Sequence, residues 1–247
     1  MAQAFDIHIE RIDDVPLLLR LRKEMGLAEV IDAYLKPHGN WGEELSLGDT
    51  LCVWLGYILS QGDHRLSAVE GWVASLLETL RQLVSPELTP KALCDDRLAR
   101  ALRYLAQDEE WAALERGLGQ RLIRVYALPQ DTVRLDTSTL STYAVVREDG
   151  LVQFGFSKDH RPDLPQVKVG LAALDPMGMP LVSLVVEGNR ADDPLYLPLI
   201  EQAQALLGSG RLYVGDSKMA AAATRAFIHH QRDILGWNES RIGLWSR

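Results

Sequence analysis

Two aspartates have a sequence context that is typical of metal-dependent phosphodiester chemistry. Asp136 closes an apolar, β-branched run at 132–136, and Asp216 directly follows a second such run at 211–215. If the two runs are neighbouring strands of one sheet, both carboxylates emerge at the same edge. Mg²⁺ is bound in proteins by one or two carboxylates together with water and phosphate oxygens. An ion held in this way activates water and stabilises the leaving oxygen of a phosphodiester.

The same two aspartates have a plainer interpretation, because aspartate often caps a turn or the start of a helix. Each of them is followed by small hydroxyl residues, at 137–139 and at 217. The two residues by themselves therefore leave open whether they bind a metal or only terminate two strands.

A charged segment at 156–166 lies between the two aspartates. It contains Lys158, His160 and Arg161 within four positions, bracketed by acidic residues and stiffened by two prolines. As an ordered loop it would reach the phosphate backbone of a nucleic acid near the carboxylates. As a solvated turn its charges would cancel locally, and the spacing alone favours this second interpretation.

Other catalytic and metal-binding patterns are absent from the sequence. The six histidines and the two cysteines, Cys52 and Cys94, show no zinc-ligand spacing, and two cysteines cannot form a disulfide scaffold. There is no glycine-rich phosphate loop, nucleotide fingerprint or nucleophile elbow. The longest apolar run, 51–59, is too short to span a bilayer, and the N-terminus has no secretory pattern. We therefore expect a cytoplasmic protein with no membrane partner.

Charge divides the chain into two parts. The 247 residues carry a net charge of −8 at pH 7, which on its own argues against a nucleic-acid partner. Residues 1–120 hold 20 acidic and 12 basic residues, whereas residues 121–247 hold 14 of each. Such an uneven distribution indicates two modules with different surfaces. The neutral half can carry a local basic face, formed by Arg134, Arg147, Lys158, Arg161, Lys168 and Lys218.

The first half of the chain has a helical period throughout. The spacing of apolar residues predicts about six helices between residues 15 and 125, one of which starts at Ser46. Ser67 and Glu70 form a capping-box pattern, which predicts the start of another helix that continues to Val84.

The period changes after residue 128. The sequence predicts strands at 132–136, 167–174, 181–186 and 211–215, with one helix from Pro194 and another from Ser217. We therefore place a domain boundary between a helical domain at 1–128 and a mixed α/β domain from 129 onward.

Three short segments resemble the insertion-sequence transposases of the DDE type. The middle segment is the most specific of the three, and its place between the two aspartates reverses the preference for a solvated turn. The helical half resembles the domain of unknown function that precedes the catalytic core in one subgroup of these transposases, notably at 95–102. The three segments are Leu135-Asp136-Thr137-Ser138, Ser157-Lys158-Asp159-His160-Arg161-Pro162-Asp163-Leu164 and Val214-Gly215-Asp216-Ser217-Lys218-Met219.

This resemblance implies a fold and a site. The fold is α/β (α+β overall), with an all-helical N-terminal domain followed by an incomplete RNase H-like mixed-sheet core at 129–231. Asp136 and Asp216 are then catalytic, metal-binding carboxylates, which together with a Glu on a later helix hold Mg²⁺ (or Mn²⁺). The implied partners are DNA, at the ends of the insertion sequence and in its target, and a second copy of the chain or a full-length transposase. The candidate DNA contacts are Lys158, His160, Arg161 and Lys218.

The last residues depart from the family pattern. Family members continue with a last core strand and the Glu helix, whereas 232–247 shows no convincing period, and we interpret it as an aberrant, frameshifted tail. Glu239 is the only glutamate after Asp216, and it lies 23 residues further on, too close to belong to the expected helix. We therefore expect a sheet without its last strand, a missing third carboxylate and weak Mg²⁺ binding.

The sequence thus predicts a C-terminally truncated DDE transposase that is inactive on its own in DNA cleavage and strand transfer. An alternative from another class is a non-catalytic module that binds DNA or the full-length transposase and interferes with it. A third hypothesis is a small Mg²⁺-dependent nuclease or phosphatase that uses the same aspartates, although it leaves the helical half and the charged segment unexplained.

Overall fold

The computed structural model describes residues 9–39, 41, 44–158 and 160–237. The chain forms two compact units, residues 1–117 and residues 118–247. The division between them falls inside a helix, about ten residues before the boundary predicted at 128.

The first unit is helical in its described part. Its core consists of aliphatic side chains with the helical spacing seen in the sequence, among them Val53, Val69, Val73 and Leu80, all of which are fully buried. The helices are α1 (Val15–Met25), α2 (Leu27–Tyr34), α3 (Leu47–Gln61), α4 (Leu66–Ser75), α5 (Leu77–Leu83), a 3₁₀ helix (Pro90–Leu93), α6 (Asp95–Leu105) and α7 (Asp108–Val125).

The start of α3 agrees with the sequence, whereas the start of α4 does not. Ser46 is the N-cap of α3, and its Oγ accepts a hydrogen bond of 3.0 Å from the backbone N–H of Asp49. The predicted capping box of Ser67 and Glu70 is wrong, because α4 already begins at Leu66 and its N-cap residue is Arg65. The carboxylate of Asp63 accepts the Arg65 N–H instead.

The helix predicted to reach Val84 is interrupted. The backbone leaves the helical conformation at Leu76, which separates α4 from α5. Val73, Leu76 and Leu80 are nevertheless all buried. The apolar spacing thus continues through the break, which is why the sequence predicts one helix where there are two.

The second unit contains a mixed sheet of five strands in the order β3-β2-β1-β4-β5. β1 (Thr132–Ser141), β2 (Gln166–Leu174) and β3 (Met179–Glu187) form an antiparallel meander. β4 (Leu212–Gly215) pairs in parallel with β1, and β5 (Ile234–Trp237) pairs in parallel with β4. This arrangement confirms the predicted α/β class and agrees with the mixed-sheet, RNase H-like core that the resemblance implies.

One face of the sheet packs against helix α8 (Tyr196–Leu207), and α9 (Ala222–His230) also contributes to the core. Short 3₁₀ helices precede the two helices, at Asp193–Leu195 and Ser217–Ala220. Gly208 ends α8 as predicted. None of the described helices of either unit is long and apolar enough to cross a membrane.

The fifth strand corrects an expectation about the tail. Residues 234–237 pair one to one with Leu212–Gly215, so the strand expected to be missing is present. Four residues are too few for alternation to show in a sequence, and the strand is fixed by main-chain bonds such as the 2.8 Å bond from Ile234 N–H to the Arg211 carbonyl. The rest of the predicted aberrant tail, 238–247 with Glu239, lies outside the described residues.

Candidate functional site

The two aspartates predicted to act together lie at equivalent positions along two neighbouring parallel chain segments. The last residue pair shared by β1 and β4 is Arg134 with Val214. Asp136 lies two residues beyond this pair on β1, and Asp216 lies two residues beyond it, directly after the end of β4 at Gly215. Because the strands run in parallel and in register, both carboxylates emerge at the same place along the sheet, as the sequence predicts for neighbouring strands.

The position of Asp136 within its strand differs from the prediction. β1 does not end there but continues to Ser141, because β2 pairs with it from Val133 to Ser141. Asp136 therefore lies in the middle of β1, on its exposed face, while Leu135 and Thr137 on either side are buried.

Tyr196, the first residue of α8, is hydrogen-bonded to Asp216. Its ring is fully buried, and its hydroxyl donates a hydrogen bond of 2.7 Å to Oδ1 of Asp216. Burial, this hydrogen bond and the negative charges of Asp216 and Asp136 raise the pKa of Tyr196 above its ordinary value. The phenol therefore remains protonated and acts as a fixed donor to Asp216.

One oxygen of each carboxylate is used to orient it. Asp216 Oδ1 also accepts the backbone N–H of Lys218 at 3.0 Å, which caps the short 3₁₀ helix Ser217–Ala220. Asp136 Oδ1 accepts the backbone N–H of Thr137 at 2.8 Å. The capping interpretation is thus correct for Asp216, but none of these bonds involves Oδ2 of either residue. The two remaining oxygens suit a hard divalent cation, which takes one or two carboxylates and completes its shell with water and phosphate.

A third carboxylate is not contributed by the part of the chain that the structure describes. Within 9–39, 41, 44–158 and 160–237, no group of three or more His, Cys, Asp or Glu side chains is arranged to hold a metal ion. Within those residues, the candidate site therefore offers the two carboxylates of Asp136 and Asp216.

The charged segment between the aspartates lies against β1. The Lys158 ammonium donates to the carbonyl oxygen of Thr137 and, at 3.0 Å, to its hydroxyl. Thr137 follows Asp136 directly, so this lysine is tied to the strand beside the carboxylate. Ser157 is buried, and its hydroxyl accepts the Arg161 N–H at 3.1 Å, which closes the turn.

The other candidate DNA contacts in this segment are less engaged with the site. Arg161 makes two hydrogen bonds of 2.9 and 2.7 Å to the carboxylate of Asp163, an exposed pair whose charges cancel locally. His160 is exposed and has a left-handed backbone with φ of 56°. Asp159 lies outside the described residues. Lys158 therefore fits the ordered-loop interpretation, and Arg161 with Asp163 fits the solvated-turn interpretation.

The sequence analysis did not identify Asp192, which organises the basic side chains of this unit. It directly precedes the 3₁₀ helix before α8 and is 5% exposed. Its Oδ1 accepts a hydrogen bond of 2.6 Å from the ammonium of Lys168, and its Oδ2 accepts one from Lys218. The Lys158 ammonium lies 3.6 Å from Oδ2.

The ionisation of Asp192 reflects these partners. Burial opposes its charge, but the hydrogen bonds from Lys168 and Lys218 and the positive charge of Lys158 outweigh burial and lower the pKa of Asp192 to about 2. In the sequence, Asp192 is indistinguishable from a helix-capping aspartate before Pro194, yet its side chain makes no capping bond.

Two of the basic residues predicted to form a surface have other roles. Lys168 is only 4% exposed and is buried against Asp192, so it cannot belong to a basic face. Arg134 makes two hydrogen bonds, of 3.0 and 2.6 Å, to the carboxylate of Asp175, which neutralises its charge.

Comparisons with known proteins found similar solved structures for the chain and a family model that matches its helical unit. The chain is similar to the Mos1 transposase paired-end complex with left transposon end, at 10% identity and a TM-score of 0.30, over 92% of this chain and 78% of that one. It is similar to the Mos1 strand transfer complex at 11% identity and a TM-score of 0.28, over 93% and 78%. No curated protein matches the chain. Residues 7–115 match the model of a domain of unknown function, DUF4277, and this stretch lies within the predicted helical domain at 1–128.

Proposed function

We propose that this chain acts on DNA as part of a DDE-type transposase, with Asp136 and Asp216 as its metal-binding carboxylates. The observation that carries the proposal is the position of the two aspartates, each two residues beyond the last pair that β1 and β4 share. A second observation supports it: the three segments that resemble these transposases, separated by up to eighty residues in sequence, come together around this point.

The residues of this chain have defined tasks in such a site. Tyr196 and the Lys218 N–H hold Asp216 by its Oδ1, and the Thr137 N–H holds Asp136 by its Oδ1. Both Oδ2 atoms then remain for a divalent cation, Mg²⁺ or Mn²⁺. Bound there, the ion would supply an activated water and stabilise the leaving oxygen of a DNA phosphodiester. Lys158 and Lys218 place positive charge beside the same point, where a phosphate group would lie.

We further propose that the part of the chain that the structure describes binds DNA but does not cleave it. Two-metal cleavage and strand transfer need a third carboxylate, and the described part of the chain arranges no third carboxylate at this point. Lys158 and Lys218 attract phosphate without a metal, which favours a DNA-binding module.

A gel shift followed by a cleavage assay tests the proposal. The purified chain is incubated with labelled DNA that flanks its coding sequence, first in EDTA and then with Mg²⁺ or Mn²⁺. We expect a shifted band without metal and intact DNA strands with it. We also expect no hydrolysis of a generic phosphoester such as p-nitrophenyl phosphate, which a small phosphatase would hydrolyse.

Three outcomes would contradict parts of this proposal. If no band shifts, the proposed DNA-binding role is wrong. Strand cleavage that disappears in Asp136→Ala but persists in Asp131→Ala, a control at an exposed aspartate just before β1, would show that the chain is active on its own. Hydrolysis of the generic phosphoester that depends on Asp136 would favour a phosphatase instead.

A further inference from the structure

Three lysines from separate parts of the chain meet at one buried carboxylate. Lys168 belongs to β2, Lys158 to the charged segment and Lys218 to the 3₁₀ helix after β4, and all three contact Asp192. One negative charge cannot neutralise three positive charges. The three lysines and Asp192 by themselves therefore carry a net charge of +2.

The two oxygens of Asp192 divide the lysines into a buried partner and two accessible ones. Oδ1 accepts from Lys168, whose side chain is 5% exposed and stabilises the carboxylate inside the protein. Oδ2 faces Lys158 and Lys218, whose side chains are 28% and 43% exposed. The surplus charge thus lies on the two lysines that a ligand can reach.

Each of these two lysines is linked to a chain position next to one of the two aspartates. Lys158 is hydrogen-bonded to Thr137, the neighbour of Asp136, and Lys218 is two residues after Asp216. An ammonium group has three donor hydrogens, and Asp192 and Thr137 use only some of them. Without a shared anion, two long, like-charged side chains would repel each other and gain conformational entropy by moving apart into solvent.

We propose that Asp192 is a positioning residue that holds Lys158 and Lys218 as a two-lysine cradle for a backbone phosphate of DNA, next to Asp136 and Asp216. This inference rests on the proposed DNA-binding function and adds to it the group that receives the phosphate and the residue that assembles that group.

The test is the salt dependence of DNA binding, measured by fluorescence anisotropy with a fluorescein-labelled duplex in EDTA. Each phosphate contact that is lost reduces the slope of log K against log[salt] by about 1. We expect Lys158→Met and Lys218→Met each to show that reduction and to bind about five- to tenfold more weakly at about 0.1 M salt. Lys91→Met, at an exposed lysine of the helical unit, is the control and should bind as the wild type does.

Asp192→Asn separates positioning from simple charge. The substitution removes a negative charge, so unspecific electrostatics predicts tighter binding and an undiminished slope. Our proposal predicts weaker binding and a slope reduced by 1 to 2, because the lysines are no longer held together. If circular dichroism shows that this variant is unfolded because Lys168 is left buried without its partner, Asp192→Asn combined with Lys168→Met replaces it, with the same expectation.

The outcomes distinguish this inference from the proposed function. If the wild type does not bind the duplex, the proposed function fails. If the wild type binds but the two lysine variants match it, or if Asp192→Asn binds more tightly with an unchanged slope, the cradle is wrong while the DNA-binding function stands.

Discussion

Asp216 caps a 3₁₀ helix and, in our proposal, also binds the metal, two roles that its sequence context presents as alternatives. Its Oδ1 caps a 3₁₀ helix and accepts the Tyr196 hydroxyl, while Oδ2 takes part in neither bond. The sequence was sufficient to single out Asp136 and Asp216, because an aspartate at the end of an apolar run is a local pattern. Asp192 and Tyr196 could not be found in this way. Their roles depend on partners such as Lys168 and Asp216, at least 20 residues away along the chain.

The lysines around Asp192 give the protein a specific sensitivity to acid. The pKa of Asp192 is lowered from 3.8 to about 2 in the folded protein. A carboxyl group with a lowered pKa stabilises the fold above its unfolded pKa, and this contribution is lost as the pH falls through the folded value. We expect the contribution to be about 2 kcal/mol and to disappear between about pH 4 and pH 2.

Urea unfolding measured at several pH values in this window compares the wild type with Asp192→Asn. Other carboxylates titrate in both proteins, so the difference between the two curves isolates Asp192, which faces Lys158, Lys168 and Lys218. The wild type should lose more free energy of unfolding than the variant as the pH falls. Parallel curves would mean that the lysines do not stabilise the ionised Asp192.

At the scale of elements, the sequence predicted strands well where alternation is long enough to recognise. β2 and β3 agree with the predicted runs to within two residues at each end. β1 extends five residues beyond its prediction, because pairing with β2 rather than apolar alternation determines its length. β5 is four residues long and is defined only by its main-chain pairing with β4, which a single sequence does not reveal.

The connection between the charged segment and the sheet depends on a close backbone contact at Gly188. The buried Gln166 side chain donates to the carbonyls of Phe156, at 2.9 Å, and Gly188, at 2.8 Å. A Cβ at Gly188 would lie 2.0 Å from the Gln166 carbonyl oxygen and 2.6 Å from that of Gln153. Since both atoms belong to the backbone, neither can move without breaking the pairing between these segments.

We therefore expect Gly188→Ala to lower the free energy of unfolding by roughly 3 kcal/mol. Gly170→Ala is the matched control, because its Cβ would meet the end of the Leu199 side chain at 2.7 Å, which can rotate away. The control should lose only about 1 kcal/mol. Urea denaturation measures both, and equal losses would show that the backbone contact at Gly188 is not the limiting one.

At the scale of the whole molecule, the division into two units changes the meaning of the net charge. All of the −8 lies in the first unit, residues 1–117, and the second unit is neutral overall. Within that neutral unit, the fold concentrates positive charge at Lys158 and Lys218 and pairs Arg134 and Arg161 with carboxylates. The net charge of the entire chain, which argued against a nucleic-acid partner, is a sum over both units. It therefore does not describe the charge of the second unit.

The central claim is that Asp136 and Asp216 form one metal-binding pair. Titration of the intact protein with Mn²⁺, with the free ion followed by electron paramagnetic resonance, tests it most directly. Asparagine keeps a side-chain oxygen that accepts a backbone N–H, so Asp136→Asn and Asp216→Asn remove a charged ligand while the Oδ1 hydrogen bonds are kept. Our account predicts that the wild type binds one ion, that each variant weakens this binding at least about tenfold and that Asp131→Asn does not. Equal Mn²⁺ affinity in the wild type and in both site variants would contradict it.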